Sequence, residues 1–254
     1  MRGPRRYKRY IALALVGAAA VTLSAQQGIF VGGEPEEGNP SYDGRLTFTR
    51  LRYPGLGGLT EEGPGWKHDY PTAERHLTKI LSQISFLNPR QDSSNILDFG
   101  DKEIMRHPIL YFSEPGYWQP TDDDVKNVHD YLVKGGFMII DDFRVFHWPN
   151  LQEQMRRVLP DAQWLPVDPG SAVWDSFFRI DEEDLQRCGI YRCPVQYLGI
   201  FENNDPTKRL MVIANYNNDV GESWEWSDQG FLPIDLTNEA YKLGVNYFMY
   251  ALTH

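Results

Sequence analysis

HPILYFSEPGYWQPTDDDVKNVHDYLVKGGFMIIDDF, His107 to Phe143, contains a strand, a helix and a second strand with the punctuation expected at each joint. The run Ile109 to Phe112 is short, apolar and carries two aromatics, which marks a buried strand, and Ser113-Glu114-Pro115-Gly116 closes it with loop chemistry. Thr121 and Asp124 stand at the N-cap and N3 positions of a capping box, while Asp122 and Asp123 add negative charge where a helix dipole favours it. Val125, Val128 and Leu132 then share one helix face, Lys134 closes the last turn, and Gly135-Gly136 supplies a left-handed stop. Phe137 to Ile140 is a second apolar strand, ending on Asp141 and Asp142. Two strands joined by a helix run parallel, with a right-handed crossover. Ligands of open parallel sheets bind beyond the carboxyl ends of the strands, which makes Glu114, Asp141 and Asp142 the first candidates for a crevice. Because neighbouring side chains on a strand alternate, one of the two aspartates is expected to lead into it.

Working outward, Leu46 to Tyr53 alternates and is β-rich, a first strand carrying Arg50 and Arg52 near its far end. The glycines of Pro54 to Gly58 open no helix, so a dinucleotide fingerprint fails and a flap over the strand ends is expected instead. Pro71-Thr72 leads into a helix with Leu77, Ile80, Leu81 and Ile84 on its buried stripe, and Ile96 to Phe99 is a short strand. After the opening unit, Leu151, Met155, Val158 and Leu159 mark a third helix. Gln163 to Val167, Tyr197 to Phe201 and Leu210 to Ala214 read as strands, Asn215 to Trp226 as a polar loop, and Ala240 to Leu252 as a closing helix. This alternation predicts an α/β fold: a flavodoxin-like, doubly wound, mostly parallel sheet.

Residues 1–25 have the order of a signal peptide: a basic start with Arg2, Arg5, Arg6, Lys8 and Arg9, an apolar core from Ile11 to Leu23, and small residues at Ser24-Ala25. Cleavage is the first expectation and retention as an anchor the second, since Leu23 fits a cleavage site poorly. Residues 26–45 are expected to form a flexible leader and 46–254 a single domain, extracytoplasmic and without membrane insertion once the signal is removed. Loss of the first 25 residues removes five positive charges and no negative ones, leaving 20 basic against 35 acidic residues, a net of −15. Such a surface repels nucleic acid and anionic lipid, so neither is expected as a main partner. Cys188 and Cys193, in CGIYRC, are the only cysteines. In an oxidising compartment a local disulfide and two unbridged thiols both fit them, and a zinc site does not, with no histidine nearby.

W-x-x-DYP-x-AE at Trp66 to Glu74, EPG-x-W at Glu114 to Trp118, KGGFMIIDDF at Lys134 to Phe143, N-D-x-G-x-x-WE at Asn218 to Glu225 and the closing YKLGVNYFMYALTH resemble the bacterial family known as domain of unknown function 4159. The resemblance covers roughly residues 46 to 254 and implies a class I glutamine amidotransferase-like fold, without an activity to carry over. Enzymes of that wider fold place a cysteine on a sharp strand-to-helix turn. Neither cysteine here follows an apolar strand, so glutaminase activity is not expected.

Collected at the strand ends, the predicted crevice holds Arg50, Tyr53, Glu114, Trp118, Asp141, Asp142, Trp148, Asn215, Asn218, Asp219 and Glu225. Oxygen-rich side chains meeting at one edge suit a divalent metal ion, with Glu114, Asp141 and Asp219 as expected ligands and His147 as expected base. The plainer expectation for each acid is that it caps a following helix. His68, beside Asp69, is a further candidate base or ligand, and His129 is expected to be structural. Trp224 and Trp226, with Trp118 and Trp148, are expected first to pack within their loops and second to form a stacking platform. The Asn215 loop fails as a calcium loop, with Val220 and Trp226 where glycine and glutamate belong, and no G-x-S-x-G elbow supports a serine hydrolase. Two functions follow as expectations: an exported domain binding a small ligand or an envelope protein at its strand ends, or a metal-assisted hydrolase of a carbohydrate or amide substrate.

Overall fold

The computed structural model describes residues 38–54, 63–185 and 194–254. The expected signal peptide, most of the leader, nearly all of the glycine flap and the Cys188/Cys193 pair lie outside the described residues. The elements in chain order are β1 (Thr49–Arg52), α1 (Thr72–Ile84), β2 (Asn95–Asp98), β3 (Ile109–Ser113), α2 (Asp122–Val133), β4 (Phe137–Phe143), α3 (Trp148–Val158), β5 (Leu165–Pro166), α4 (Glu182–Leu185), β6 (Gln196–Phe201), β7 (Leu210–Tyr216), α5 (Val220–Glu225) and α6 (Ile234–Thr253). They build one seven-stranded sheet in the order β2-β1-β3-β4-β7-β6-β5.

The opening unit folds as its sequence predicts. The Thr121 hydroxyl accepts from Asp124 N while the Asp124 carboxylate accepts from Thr121 N, closing the capping box at the start of α2. Gly135, at φ 111°, ends the helix where a side chain would be strained. β3 and β4 then pair in parallel from Ile109↔Phe137 to Ser113↔Asp141, so Glu114 follows directly beside the two aspartates. β1, β2, β3, β4 and β7 are all parallel.

Side chains alternate across the sheet into two cores. Leu110, Phe112, Met138 and Ile140 pack with Val128 and Leu132 of α2 and Leu151 and Met155 of α3. Tyr111, Phe137, Ile139 and Ile213 face the other way, onto Leu77 and Leu81 of α1, Trp224 of α5, and Leu243 and Phe248 of α6. This is the doubly wound flavodoxin-like arrangement.

Three details differ from the sequence reading. β6 runs antiparallel to β7, because the chain between Phe201 and Leu210 is too short for the crossover that a parallel return needs. The polar loop after β7 contains α5, started by the Asp219 carboxylate accepting from Glu222 N at 2.9 Å. The closing helix starts at Ile234, straight after Pro233, and not at Ala240. No helix among the described residues is long and apolar enough to cross a membrane.

Candidate functional site

The sheet's strand order reverses between β1 and β3: from β1 the chain moves outward to β2 and then returns to start β3 on the other side. In open α/β sheets such a switch point, at the carboxyl ends of the strands, is where a ligand crevice forms. Residues Gly65 to Asp69 line one side of it, and Glu114 and Asp142 the other. Gly65 packs so tightly that a Cβ there would fall 2.3 Å from Glu114 Oε2.

Three of the acids at this rim have left-handed backbones: Asp69 at φ 64°, Glu114 at φ 47° and Asp142 at φ 51°. Aspartate visits that region at modest cost and glutamate less readily, so the surrounding fold must hold them there. At Asp142 the cause is a bulge, seen as the shift of β4–β7 register between Ile140 and Phe143. The bulge changes what the alternation rule implies, since both aspartates reach buried polar surroundings, but different ones.

Asp141 is fully buried and surrounded by donors. Asn215 Nδ2 donates to Oδ1 at 2.9 Å, and Tyr111 Oη and Gly221 N donate to Oδ2 at 2.8 Å each, with Val220 N at 3.0 Å. Tyr247 Oη in turn donates to Asn215 Oδ1 at 2.7 Å. Burial pushes the Asp141 carboxyl above its ordinary range, and these donors hold that rise back. With both oxygens taken, Asp141 fastens the start of α5 to β4. The ligand set expected from the sequence is Glu114, Asp141 and Asp219; among the close-lying groups of acids, Asp142 takes part and Asp141 does not.

Asp142 sits among acids. Potential ligand atoms of His68, Glu114 and Asp142 lie within 4.8 Å of one another, as do those of Asp69, Asp142 and Asp219, and those of Asp69, Glu222 and Glu225. His68 Nδ1 stands 3.3 Å from Glu114 Oε1 and 3.5 Å from Asp142 Oδ2. Burial opposes charge on that imidazole, but hydrogen bonds to Asp142 and Glu114 outweigh it and lift its pKa to about 10. Ser113 Oγ also approaches Asp142 Oδ2, at 3.4 Å. Asp69 and Asp219 are 3% and 5% exposed. Burial first and the Asp142 charge second push both carboxyls well above the usual range. Glu114 is raised too, by burial.

Arg50 is buried behind this cluster. It pairs with Glu74, donates through Nη1 to the carbonyls of Trp66 at 3.0 Å and His68 at 2.9 Å, and lies 4.8 Å over the Tyr111 ring. It shapes the 65–69 loop by holding its carbonyls, so it braces the crevice wall rather than facing out of it. Tyr53 Oη does similar work, donating to the Glu114 carbonyl at 2.8 Å.

Among the remaining expected residues, Asn218 is buried, its carbonyl accepting from Phe143 N. Glu225 is half-buried near Asp69. His147 caps α3, its Nδ1 accepting from Arg144 N at 3.4 Å, and burial lowers its pKa to about 4. Its ring packs on Gly116 and Tyr117 and belongs to none of the three acid groups. Its Nε2 is buried without a hydrogen-bond partner among the described residues. His129 is structural, with Nδ1 donating to the Val158 carbonyl at 2.9 Å.

The tryptophans form no platform. Trp118 is 1% exposed and stacks on Phe99, Trp224 is fully buried with Nε1 donating to the Ala240 carbonyl, and Trp148 packs with Phe143, Trp164 and Tyr216. Sequence reasoning undervalued Asp69, which it treated only as the neighbour of His68. The signal was the DYP turn just ahead of α1, which lies across the crevice from β4.

Fold and rim define the class: a doubly wound α/β domain with a buried, carboxylate-rich crevice at the switch point of its sheet. Within that class the chain belongs to the family described as Domain of unknown function (DUF4159), which matches residues 47–252. No curated protein is significantly similar to it.

Proposed function

We propose that this is an extracytoplasmic domain that binds a ligand carrying positive charge at the carboxyl ends of its parallel strands. The observation that carries the reading is the meeting of Asp69, Asp142 and Asp219, each nearly sealed from water, with Glu114 alongside. Buried carboxylates that face one another must take protons or a cation; among the protein's own cations, Arg50, whose charge also acts on Asp69, is paired with Glu74, and His68 stands between Glu114 and Asp142. The basic, then apolar, N-terminal segment favours export. Val145 and Phe146, 61% and 65% exposed just after β4, offer apolar surface that an envelope protein or the organic part of a ligand would cover. Glutaminase chemistry is not part of the reading, since in the sequence neither cysteine follows an apolar run of strand type.

The test is calorimetric titration of the purified chain with divalent ions and with small ammonium and guanidinium compounds, repeated on Glu114→Gln. Binding by the wild type that weakens at least tenfold in the variant is the expected result. Binding that ignores Glu114, or none by any of these probes, would count against the reading.

A second reading, metal-assisted hydrolysis of a carbohydrate or amide substrate, is favoured by His147, whose imidazole is neutral at neutral pH and keeps Nε2 unbonded among the described residues. Product release that stops in His147→Ala while binding persists would distinguish it.

A further inference from the structure

We infer that Asp69, Asp142 and Asp219 together hold one hard divalent cation of the magnesium, manganese or calcium type. The inference rests on the reading of the rim as a cation site, and narrows its occupant from positively charged groups in general to a metal ion.

Asp69 supplies the observation that a cluster of acids alone would lack. Its Oδ2 is buried and has no hydrogen-bond partner among the described residues, in a side chain only 3% exposed. Native structures rarely leave such an atom unsatisfied without a functional reason. The start of α5 packs closely on that oxygen, since a Cβ on Gly221 would fall 2.5 Å from it. The other two acids are oriented by donors of their own. Asp142 is approached on Oδ2 by His68 and Ser113, and Asp219 accepts from Glu222 N on Oδ1. Outer hydrogen bonds of this kind orient a ligating carboxylate.

The donor chemistry selects the ion. The three potential ligands are carboxylate oxygens, with neither sulfur nor imidazole in the trio, and lie within 4.8 Å of one another. Oxygen-only sets suit hard cations, which commonly complete their shells with water. Arg50, whose charge acts on Asp69, gives its Nε and Nη1 to Glu74, Trp66 and His68 and has only Nη2 without a partner among the described residues. His68 and Glu114 then form an adjoining wall that shares Asp142 with the ion.

The experiment strips the purified full chain with chelator and titrates it with Mn²⁺, following bound ion by electron paramagnetic resonance and the thermal midpoint in parallel. One Mn²⁺ per chain is expected, with a rise of several degrees in the midpoint and competition by Ca²⁺ or Mg²⁺. Asp69→Asn and Asp142→Asn, each preserving side-chain shape, should weaken Mn²⁺ at least tenfold, and Asp69→Asn should do so while remaining folded. Absence of bound Mn²⁺ in the wild type, or unchanged affinity in Asp69→Asn, would overturn the assignment. If Mn²⁺ does not bind but an ammonium or guanidinium compound binds in a Glu114-dependent way, the metal falls and the broader reading stands. If none of these binds, both fall.

Discussion

Asp141 and Asp142 are neighbours in sequence, both end β4 and both are buried, yet they occupy opposite electrostatic surroundings. Asp141 meets an amide side chain, a phenol and two backbone N–H groups. Asp142 meets Asp69, Asp219 and Glu114, with His68 and Ser113 as its donors. The difference shows that burial of a carboxylate has no single meaning. Where a carboxylate is ringed by donors it fastens the fold, and where it lies among other acids it carries the proposed binding of positive charge.

The sharpest way to break this contrast is to remove the fastening. Asp141→Ala leaves four buried donors facing a void and should destabilise the domain by about 3–5 kcal/mol, read as a shifted midpoint in urea denaturation. The next is pH. Asp69 and Asp219 have folded pKa values above their ordinary 3.8, so the folded state holds those protons more tightly than the unfolded one. Stability gained from them at low pH should be lost as pH rises above about 4. His68 behaves with the same sign: its folded pKa near 10 exceeds 6.5, so its contribution is complete below 6.5 and lost by about pH 10. The metal-free protein should thus weaken steadily from mildly acid to alkaline conditions, by up to about 1.4 kcal/mol per pH unit for each proton concerned. Denaturation midpoints that rise with pH over this span would contradict it. The smallest effect has the opposite direction to the first: Asp69→Asn removes a buried like charge and should stabilise the metal-free domain by about 1 kcal/mol, while flattening the acid part of the pH profile.

Most of the architecture was legible because local signals agreed. Thr121, Asp124 and Gly135 each announce a helix end through their own chemistry, and the apolar runs on either side leave little choice but a parallel pair. The direction of β6 was not legible in its composition, since Tyr197 to Phe201 reads the same in either sense, and only the short return to Leu210 decides it. The site was half legible. Strand-end acids could be named from topology, but the choice between Asp141 and Asp142 depends on a bulge that no residue in DDF signals. Asp69 reaches the cluster from a distant loop, and Trp118 and Trp224 look like surface tryptophans until the packing of Phe99, Phe112 and Leu243 is known.

The partners of Asp141 also bear on biosynthesis. Tyr111 precedes it by 30 positions, whereas Asn215, Val220 and Gly221 follow it by 74, 79 and 80. A nascent chain emerging in order therefore presents the middle strand of the sheet with an acid at its tip that has only Tyr111 of its donors in place, and closing the long intervening segment costs entropy before the later donors can bond it. The finishing of this network, and of the wall that α5 adds to the crevice, therefore waits on residues near the end of the chain.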